Sequence, residues 1–361
     1  MRLVKASVRV VLTIFGIFFI LNPISVAAQD LPASENLFYM VNNEKSFQSF
    51  KNNVDQISII APQVFSVQSS GVVWGSVDRR VLQIAKENDI KVMPLIVNSG
   101  FNQEEFHELL HNDKALERTI QMMIDLAKKY DFYGWQFDYE NIHISDRDAL
   151  TSYYEKTAKA LHKADLKLSI AVVPRDGNLA GSSSFNRYIY EYWRSAYDLK
   201  ALATAGDFIS LMTYSQHTGH TTPGPIAGYT WVEPMLQFTL DQGVPAEKIS
   251  LGLPSYSYYW HTTYRDDHSA VVGTGLDYDE ATGLVDRYQA KLNWLDDDKC
   301  YYTFWSNDGI YEYLFLEDQR SLKAKLGFLT KYDFRGISVW RLGQEDPATW
   351  VVLNKTVKTE K

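Results

Sequence analysis

From about residue 37 to the end of the chain, short runs of β-branched and aromatic residues alternate with longer segments of helical period. This alternation is typical of repeated strand–helix units, whose strands pair in parallel. Eight runs have the length and composition of strands, and eight such strands close into a barrel. The sequence therefore predicts an α/β fold, a (β/α)8 TIM barrel, with strands at 37–41, 57–64, 91–97, 132–138, 167–173, 208–214, Ile249–Pro254 and Gly336–Trp340.

One stretch, at about 257–316, interrupts this rhythm. It is rich in Tyr, Trp, Asp and Gly and contains short alternating pieces instead of a strand–helix unit. The run Asn-Asp-Gly at 307–309 is typical of a tight hairpin turn. We therefore expect a small α+β insertion between strands seven and eight, forming one wall of a groove.

The N-terminus has the pattern of a secretory signal peptide. Arg2, Lys5 and Arg9 precede an apolar run at 10–21, and small residues lead to Ala28. Such a run is too short to span a bilayer comfortably, because a spanning helix needs about 20 residues. We expect cleavage after Ala28, a mature barrel at 29–361, secreted or periplasmic location and no stable membrane insertion. An uncleaved N-terminal anchor is the alternative.

Charge and cysteine content narrow the class of partner. The formal charge is −8, and loss of the three N-terminal cations takes it to about −11, which disfavours nucleic acid. Abundant Tyr, Phe and Trp are compatible with a ligand that has flat apolar faces, such as a sugar ring. The lone Cys300 cannot form an intrachain disulfide. We expect a monomer.

The run 132–140 has a polar and an aromatic face. Because side chains alternate along a strand, the aromatic residues at 133, 135, 137 and 139 share one face, while Gln136, Asp138 and Glu140 share the other. Same-face residues lie about 6.6 Å apart, so each ionised carboxylate raises the pKa of its neighbour. These residues also fall at the carboxyl end of the fourth strand, where such barrels place catalysis.

This segment resembles the fourth-strand signature of family 18 glycoside hydrolases, the chitinase family, which reads Asp-x-x-Asp-x-Asp-x-Glu or a shortened form. The last two acidic positions match Asp138 and Glu140, whereas Gln136 stands at a position that is usually Asp. Three further runs are similar to family motifs in order and place: Leu-Met-Thr-Tyr at 211–214, Leu-Gly-Leu-Pro at 251–254 and Gly-Ile-Ser-Val-Trp at 336–340. The likeness is greatest to the bacterial branch with spore-germination and peptidoglycan-active members.

The resemblance implies a site. Glu140 would be the proton donor, Asp138 would hold the substrate's acetamido N–H, and Tyr214 would hydrogen-bond the acetamido carbonyl. Trp340 would form the apolar floor, and Met212 and Gln136 would complete the binding surface, with Gln136 donating a hydrogen bond that keeps Asp138 charged. The family is also among the exceptions to the two-carboxylate scheme, so it implies retention with help from the substrate's own acetamido group.

We expect neither a metal nor a cofactor. His217 and His220 lie in a loop rich in Thr, Gly and Pro, where solvated histidines are common, and the chain's eight histidines are scattered. That scatter also disfavours a metal-dependent sugar deacetylase. Two alternatives stay open: a barrel that binds N-acetylated glycan as a lectin, and an enzyme whose substrate is chitin, peptidoglycan or an N-glycan.

Overall fold

Eight parallel strands surround a central axis and close into a barrel. The computed structural model describes residues 31–262 and 271–361. The first strand pairs with the second, Leu37 opposite Ile59, and also with the eighth, Leu37 opposite Ser338, which closes the ring. The predicted TIM barrel is confirmed. Its strands are Ala33–Met40, Ile59–Val67, Leu95–Asn98, Gly134–Phe137, Lys167–Val172, Phe208–Leu211, Ile249–Pro254 and Gly336–Trp340.

The third strand is shorter than the predicted 91–97. Lys91–Val92 pairs with the second strand, and pairing resumes at Leu95–Asn98. Pro94 lies in the interruption, and proline has no N–H to give to a ladder. Two minor strands, Val73–Gly75 and Lys358–Thr359, extend the sheet beyond the barrel.

Helices cover the outside of the barrel. Asp113–Tyr130 illustrates why they form where they do: Asn112 caps it by accepting a hydrogen bond from the Ala115 N–H, and the stripe with Met123 is buried on the barrel. The helices are Glu44–Asn52, Arg79–Glu87, Gln103–Leu110, Asp113–Tyr130, Arg147–Lys163, Ser184–Ile189, Leu199–Ala205, Tyr229–Asp241, Tyr278–Arg287, Gln319–Tyr332 and Thr349–Thr356, with a π-helical turn at Tyr190–Arg194.

The barrel interior is part apolar and part polar. Leu37, Tyr39, Ile59, Ala61, Met93, Leu95 and Phe208 form an apolar cluster. Beside it, buried hydroxyls form a chain in which the Ser338 Oγ lies 2.8 Å from Ser210 Oγ and 2.5 Å from Ser250 Oγ. Polar groups this deep are tolerated because they hydrogen-bond to each other.

The insertion between the seventh and eighth strands is a five-stranded antiparallel sheet with one helix, as predicted. Asn307 opposes Ile310 across the hairpin, and Asp308 and Gly309 have φ of 49° and 82°. Positive φ at both central residues is what a tight hairpin of this kind requires. The strands are Ser257–Thr262, Val271–Leu276, Asn293–Leu295, Cys300–Asn307 and Ile310–Leu316, and the helix is Tyr278–Arg287.

The predicted signal peptide, residues 1–28, lies outside the described residues, as do 263–270 of the insertion. Within the described part of the chain, none of the helices is both long and apolar enough to cross a bilayer. Cys300 is buried in the insertion.

Candidate active site

The fourth barrel strand, Gly134–Phe137, separates its two faces as its alternation predicts. Tyr133 was wrongly placed on the outer face: it precedes the strand and packs against the apolar cluster inside the barrel. Trp135, Phe137 and Tyr139 are fully buried on the outer side, where Phe137 lies 5.2 Å from the ring of Tyr153 on a covering helix. Each buried aromatic ring contributes about 2 kcal/mol of hydrophobic free energy. This outer packing sets the register of the strand and turns Asp138 and Glu140 toward the barrel mouth.

The backbone at Glu140 is held by a single amide side chain. Asn98, at the end of the third strand, accepts a hydrogen bond from the Glu140 N–H at 3.2 Å and donates one to the Glu140 carbonyl at 3.1 Å. The Tyr197 hydroxyl donates to the Tyr139 carbonyl at 2.8 Å. These three bonds fix the backbone from which the Glu140 side chain extends.

Asp138 is a buried carboxylate with one hydrogen-bonded oxygen. Its side chain is 3% exposed, and Oδ2 accepts a hydrogen bond from Gln63 Nε2 at 3.3 Å. Oδ1 has no hydrogen-bond partner among the described residues. Burial raises the pKa of Asp138, and the bond from Gln63 opposes that rise because it favours the charged form.

Glu140 lies beside Asp138 and is half-buried in the lining of the cleft. Burial is the larger cause that raises its pKa, and the negative charge of Asp138 raises it further. Among the described residues, none gives the Glu140 carboxyl an opposing hydrogen bond of the kind that Gln63 gives to Asp138. When the pair shares one proton, Glu140 is therefore the residue that keeps it, and the site presents a proton donor next to a carboxylate.

A cleft of about 720 Å³ opens above this pair. Most of its lining is apolar and aromatic, as in sites that bind small organic ligands. The lining residues include Tyr39, Phe101, Tyr188, Trp193, Tyr214 and Trp340.

Three of the predicted binding residues line this cleft with Asp138 and Glu140: Tyr214, Met212 and Trp340. The Trp340 ring lies 5.4 Å from that of Tyr39 on the barrel floor. The pKa of Tyr214 is raised well above its ordinary value, first by burial and then by nearby groups that include both acidic residues. Its hydroxyl therefore stays protonated and can donate a hydrogen bond.

Comparison with known proteins decides the family. A sequence profile described as "Glycosyl hydrolases family 18" matches residues 35–345. The chain belongs to glycosyl hydrolase family 18.

Relatives and solved structures agree with the family 18 assignment. The chain is 24% identical over 336 residues to the uncharacterized glycosylase YvbX of Bacillus subtilis strain 168, covering 89% of this chain and 90% of that one. It is 23% identical over 294 residues to the cortical fragment-lytic enzyme of the same organism, covering 80% and 65%. It therefore spans less than two thirds of the latter protein.

The fold is similar to the crystal structure of the spore cortex-lytic enzyme SleL of Bacillus megaterium QM B1551. The TM-score is 0.80 at 22% identity, with 92% of this chain and 76% of that chain covered. At 22% identity, this structural similarity is evidence for the barrel fold alone.

Gln136 does not occupy the place expected for a binding residue of this family 18 site. It is fully buried and absent from the cleft lining, and its Nε2 donates to Ser169 Oγ at 3.0 Å and Ser210 Oγ at 2.9 Å. The predicted bond from Gln136 to Asp138 was therefore wrong, because the amide is engaged one layer deeper in the barrel. Gln63 supplies that bond instead.

The insertion also differs from expectation, since no described residue of 257–316 lines the cleft. It supports the cleft from behind: Trp260 Nε1 donates to the Thr221 carbonyl at 3.1 Å, and Thr221 lines the cleft. The wall here is the loop after the sixth strand, together with Tyr256. That loop also includes Ser215, which has φ of 59° and an Oγ 2.7 Å from the Tyr256 hydroxyl.

Gln63 and Asn98 are site residues that sequence reasoning missed. Gln63 lies in the second strand, and Asn98 is the last residue of the third. Polar side chains that turn inward at the carboxyl ends of barrel strands were the signal that identified Asp138 and Glu140. The same signal was present at both positions.

The expectation that the histidines are too scattered to form a ligand cluster was also wrong. His107, His111 and Asp146 converge on the catalytic face. The sequence signal was the four-residue spacing of the two histidines, which a helix brings to one side. His217 does lie in a loop, with Nδ1 at 2.9 Å from the Thr222 carbonyl, and the exposed His220 lines the cleft.

We predict that the two acidic residues make the protein less stable as the pH rises. Their folded-state pKa values are raised, so the folded chain keeps protons that the unfolded chain releases. The free energy of unfolding therefore falls as the pH rises from the unfolded-state pKa values to the folded-state pKa values. Glu140→Gln removes one titrating group. The free energy of unfolding of Glu140→Gln minus that of wild type, measured by urea unfolding, should therefore be more positive at about pH 8 than at about pH 5.

The control is Glu155→Gln, a change at an exposed position of the helix Arg147–Lys163. It should leave the pH dependence of unfolding as in wild type. A Glu140→Gln protein with the same pH dependence as wild type would contradict the raised pKa.

Proposed function

We propose that this family 18 chain is an enzyme that hydrolyses glycans containing β-linked N-acetylglucosamine. The observation that carries the proposal is the pairing of a protonated Glu140 with Asp138, whose buried Oδ1 lacks a hydrogen-bond donor among the described residues. A buried acceptor of this kind is costly unless a partner arrives. The acetamido N–H of an N-acetylated sugar is a donor of the right chemistry.

In the first step, the carbonyl oxygen of the substrate's own acetamido group attacks the anomeric carbon. The glycosidic C–O bond breaks, and the leaving oxygen takes the proton of Glu140. Asp138 accepts a hydrogen bond from the acetamido N–H, and its negative charge stabilises the positive charge of the oxazolinium-like intermediate. The substrate thereby supplies the nucleophile that a second carboxylate supplies in other retaining glycosidases.

In the second step, Glu140 is ionised and acts as a base. It takes a proton from water, the water oxygen bonds to the anomeric carbon, and the acetamido group reforms. Two displacements at one carbon give net retention. Tyr214 donates a hydrogen bond to the acetamido carbonyl, while Trp340 and Met212 contact the apolar face of the sugar.

The alternative is a family 18 barrel that binds glycan without cleaving it. The presence of Glu140, with its backbone clamped by Asn98 and its pKa raised, favours the enzyme. A lectin has no use for a carboxyl group whose pKa is raised so that it stays protonated. The proposal also includes release by cleavage after Ala28 to a secreted or periplasmic location, and a monomeric state.

We predict that Glu140→Gln abolishes hydrolysis while sugar binding persists. The amide keeps the shape of the side chain but has no acidic proton, and the loss of general acid catalysis lowers kcat by at least ~10²-fold. The measurement is mass spectrometry of soluble products from chitin oligomers, purified peptidoglycan and a glycoprotein, with Glu155→Gln as the matched control. Wild-type protein that binds these glycans and releases no product would establish the lectin instead.

A half-buried cation in the cleft supports a proposal about which N-acetylated glycan is the substrate. Arg194 is the only Lys or Arg among the described residues that line the cleft. Its Nε is buried and lacks a hydrogen-bond partner within the described ranges; burial lowers its pKa, and the negative charge of Asp176 opposes that fall. Arg175 Nη1 donates to the Arg194 carbonyl at 3.1 Å, which fixes the backbone there.

A half-buried guanidinium whose buried Nε has no hydrogen-bond partner among the described residues favours a ligand that brings a carboxylate. Chitin is uncharged. The N-acetylmuramic acid of peptidoglycan carries a lactyl carboxylate, and the similarity to a cortical fragment-lytic enzyme agrees with such a substrate. We therefore propose peptidoglycan glycan strands over chitin as the substrate.

We predict that Arg194→Gln lowers kcat/KM at least ~10-fold on oligosaccharides that contain N-acetylmuramic acid, because a hydrogen bond to a charged group contributes about 1.5–3 kcal/mol. Chitotetraose should be cleaved as by wild type. Arg187→Gln, an exposed change on the nearby helix Ser184–Ile189, is the control. An equal loss on both substrates would contradict a carboxylate contact, whereas inactivity of wild type on both would contradict the proposed function itself.

A further inference from the structure

A group of metal-ligand residues lies outside the cleft. His107 is in the last turn of the helix Gln103–Leu110, His111 caps that helix, and Asp146 ends the 3-10 turn Ile144–Asp146. One ring nitrogen from each histidine and one Asp146 oxygen all lie within 4.8 Å of one another. The two imidazole rings are 4.3 Å apart between centroids.

The hydrogen bonds of these residues determine which ring nitrogens can bind a metal. His107 Nδ1 lies 2.8 Å and 3.0 Å from the two oxygens of Asp146, and His111 Nδ1 lies 2.9 Å from the His107 carbonyl. A carboxylate and a carbonyl only accept hydrogen bonds, so both Nδ1 atoms carry the proton. In each neutral ring, Nε2 then has the available lone pair.

The role of Asp146 matches what metal sites require beyond their ligands. A ligating histidine usually donates its other ring N–H to a carboxylate or a backbone carbonyl, which fixes its orientation and raises its basicity. Here both histidines do so, one to Asp146 and one to a carbonyl. Asp146 is 3% exposed, whereas both histidines are exposed and can reach an ion from solvent.

We propose that His107 and His111 bind one divalent transition-metal ion of the zinc class through their Nε2 atoms, with Asp146 as the orienting carboxylate and water at the remaining positions. Imidazole ligands select this class over magnesium and calcium, which prefer oxygen. Histidines four residues apart on one helix face are suited to a shared ion. This site is independent of the proposed hydrolytic reaction.

The site would join two loops of the catalytic face. The helix Gln103–Leu110 follows the third strand, and the turn with Asp146 follows the fourth strand and Glu140. Asn141 Nδ2 already donates to the Phe101 carbonyl at 3.1 Å between them. An ion bound to His107 would strengthen the connection that Asp146 makes between these two loops. We therefore assign the ion a stabilising role and no part in bond cleavage.

The test uses tag-free mature protein, stripped with a chelator and titrated with ZnCl2 by calorimetry and by thermal unfolding. Wild type should bind one ion and gain in Tm as ZnCl2 rises, since a ligand that binds only the folded state stabilises it. His107→Ala and His111→Ala should each abolish saturable binding and the gain in Tm. Asp146→Asn should weaken binding about 10-fold.

His162→Ala is the matched control, because His162 Nε2 also contacts a carboxylate, Asp207 Oδ2 at 2.8 Å, on a helix with no histidine four residues away. It should bind zinc as wild type does. Circular dichroism of each variant confirms folding. Unchanged zinc binding in His107→Ala and His111→Ala, or no binding to folded wild type, would overturn the proposal.

Discussion

The removal of two neighbouring carboxyl groups from bulk water is the constraint around which this site is built. Asp138 and Glu140 directly follow the fourth strand, Gly134–Phe137, and both line the cleft; burial together with the Asp138 charge raises the pKa of Glu140. Solvent would remove this effect by screening the charges. The surrounding structure therefore has to exclude water from the pair and keep both groups in place.

Several parts of the barrel serve that requirement. On the outer face, the aromatic side chains of the fourth strand bury their rings under helices and prevent the strand from rotating. On the inner face, Asn98 clamps the Glu140 backbone and Gln63 gives Asp138 the hydrogen bond that favours its charge. Gln136 and its serine partners fill the layer below, so the floor under Asp138 is closed.

Much of this architecture could be predicted from the sequence, because it depends on local periodicity. The alternation of strand and helix segments, and its interruption, were sufficient to predict the barrel and the insertion. The period of two along the fourth strand was sufficient to predict that Asp138 and Glu140 point to the same side. The tertiary partners could not be read in the same way. Whether Gln136 bonds to Asp138 or to Ser169 and Ser210 depends on which strands lie beside it and at which height, and the cleft wall depends on the path of a loop without periodicity.

The central claim is that the substrate's acetamido group is the nucleophile and Glu140 the acid. The most direct test compares matched β-linked oligosaccharides with and without the 2-acetamido group and identifies the first-formed product anomer by NMR. The account predicts cleavage only of the acetamido substrates, with the β anomer formed first. Comparable rates on glucose oligomers, or the α anomer as first product, would contradict it.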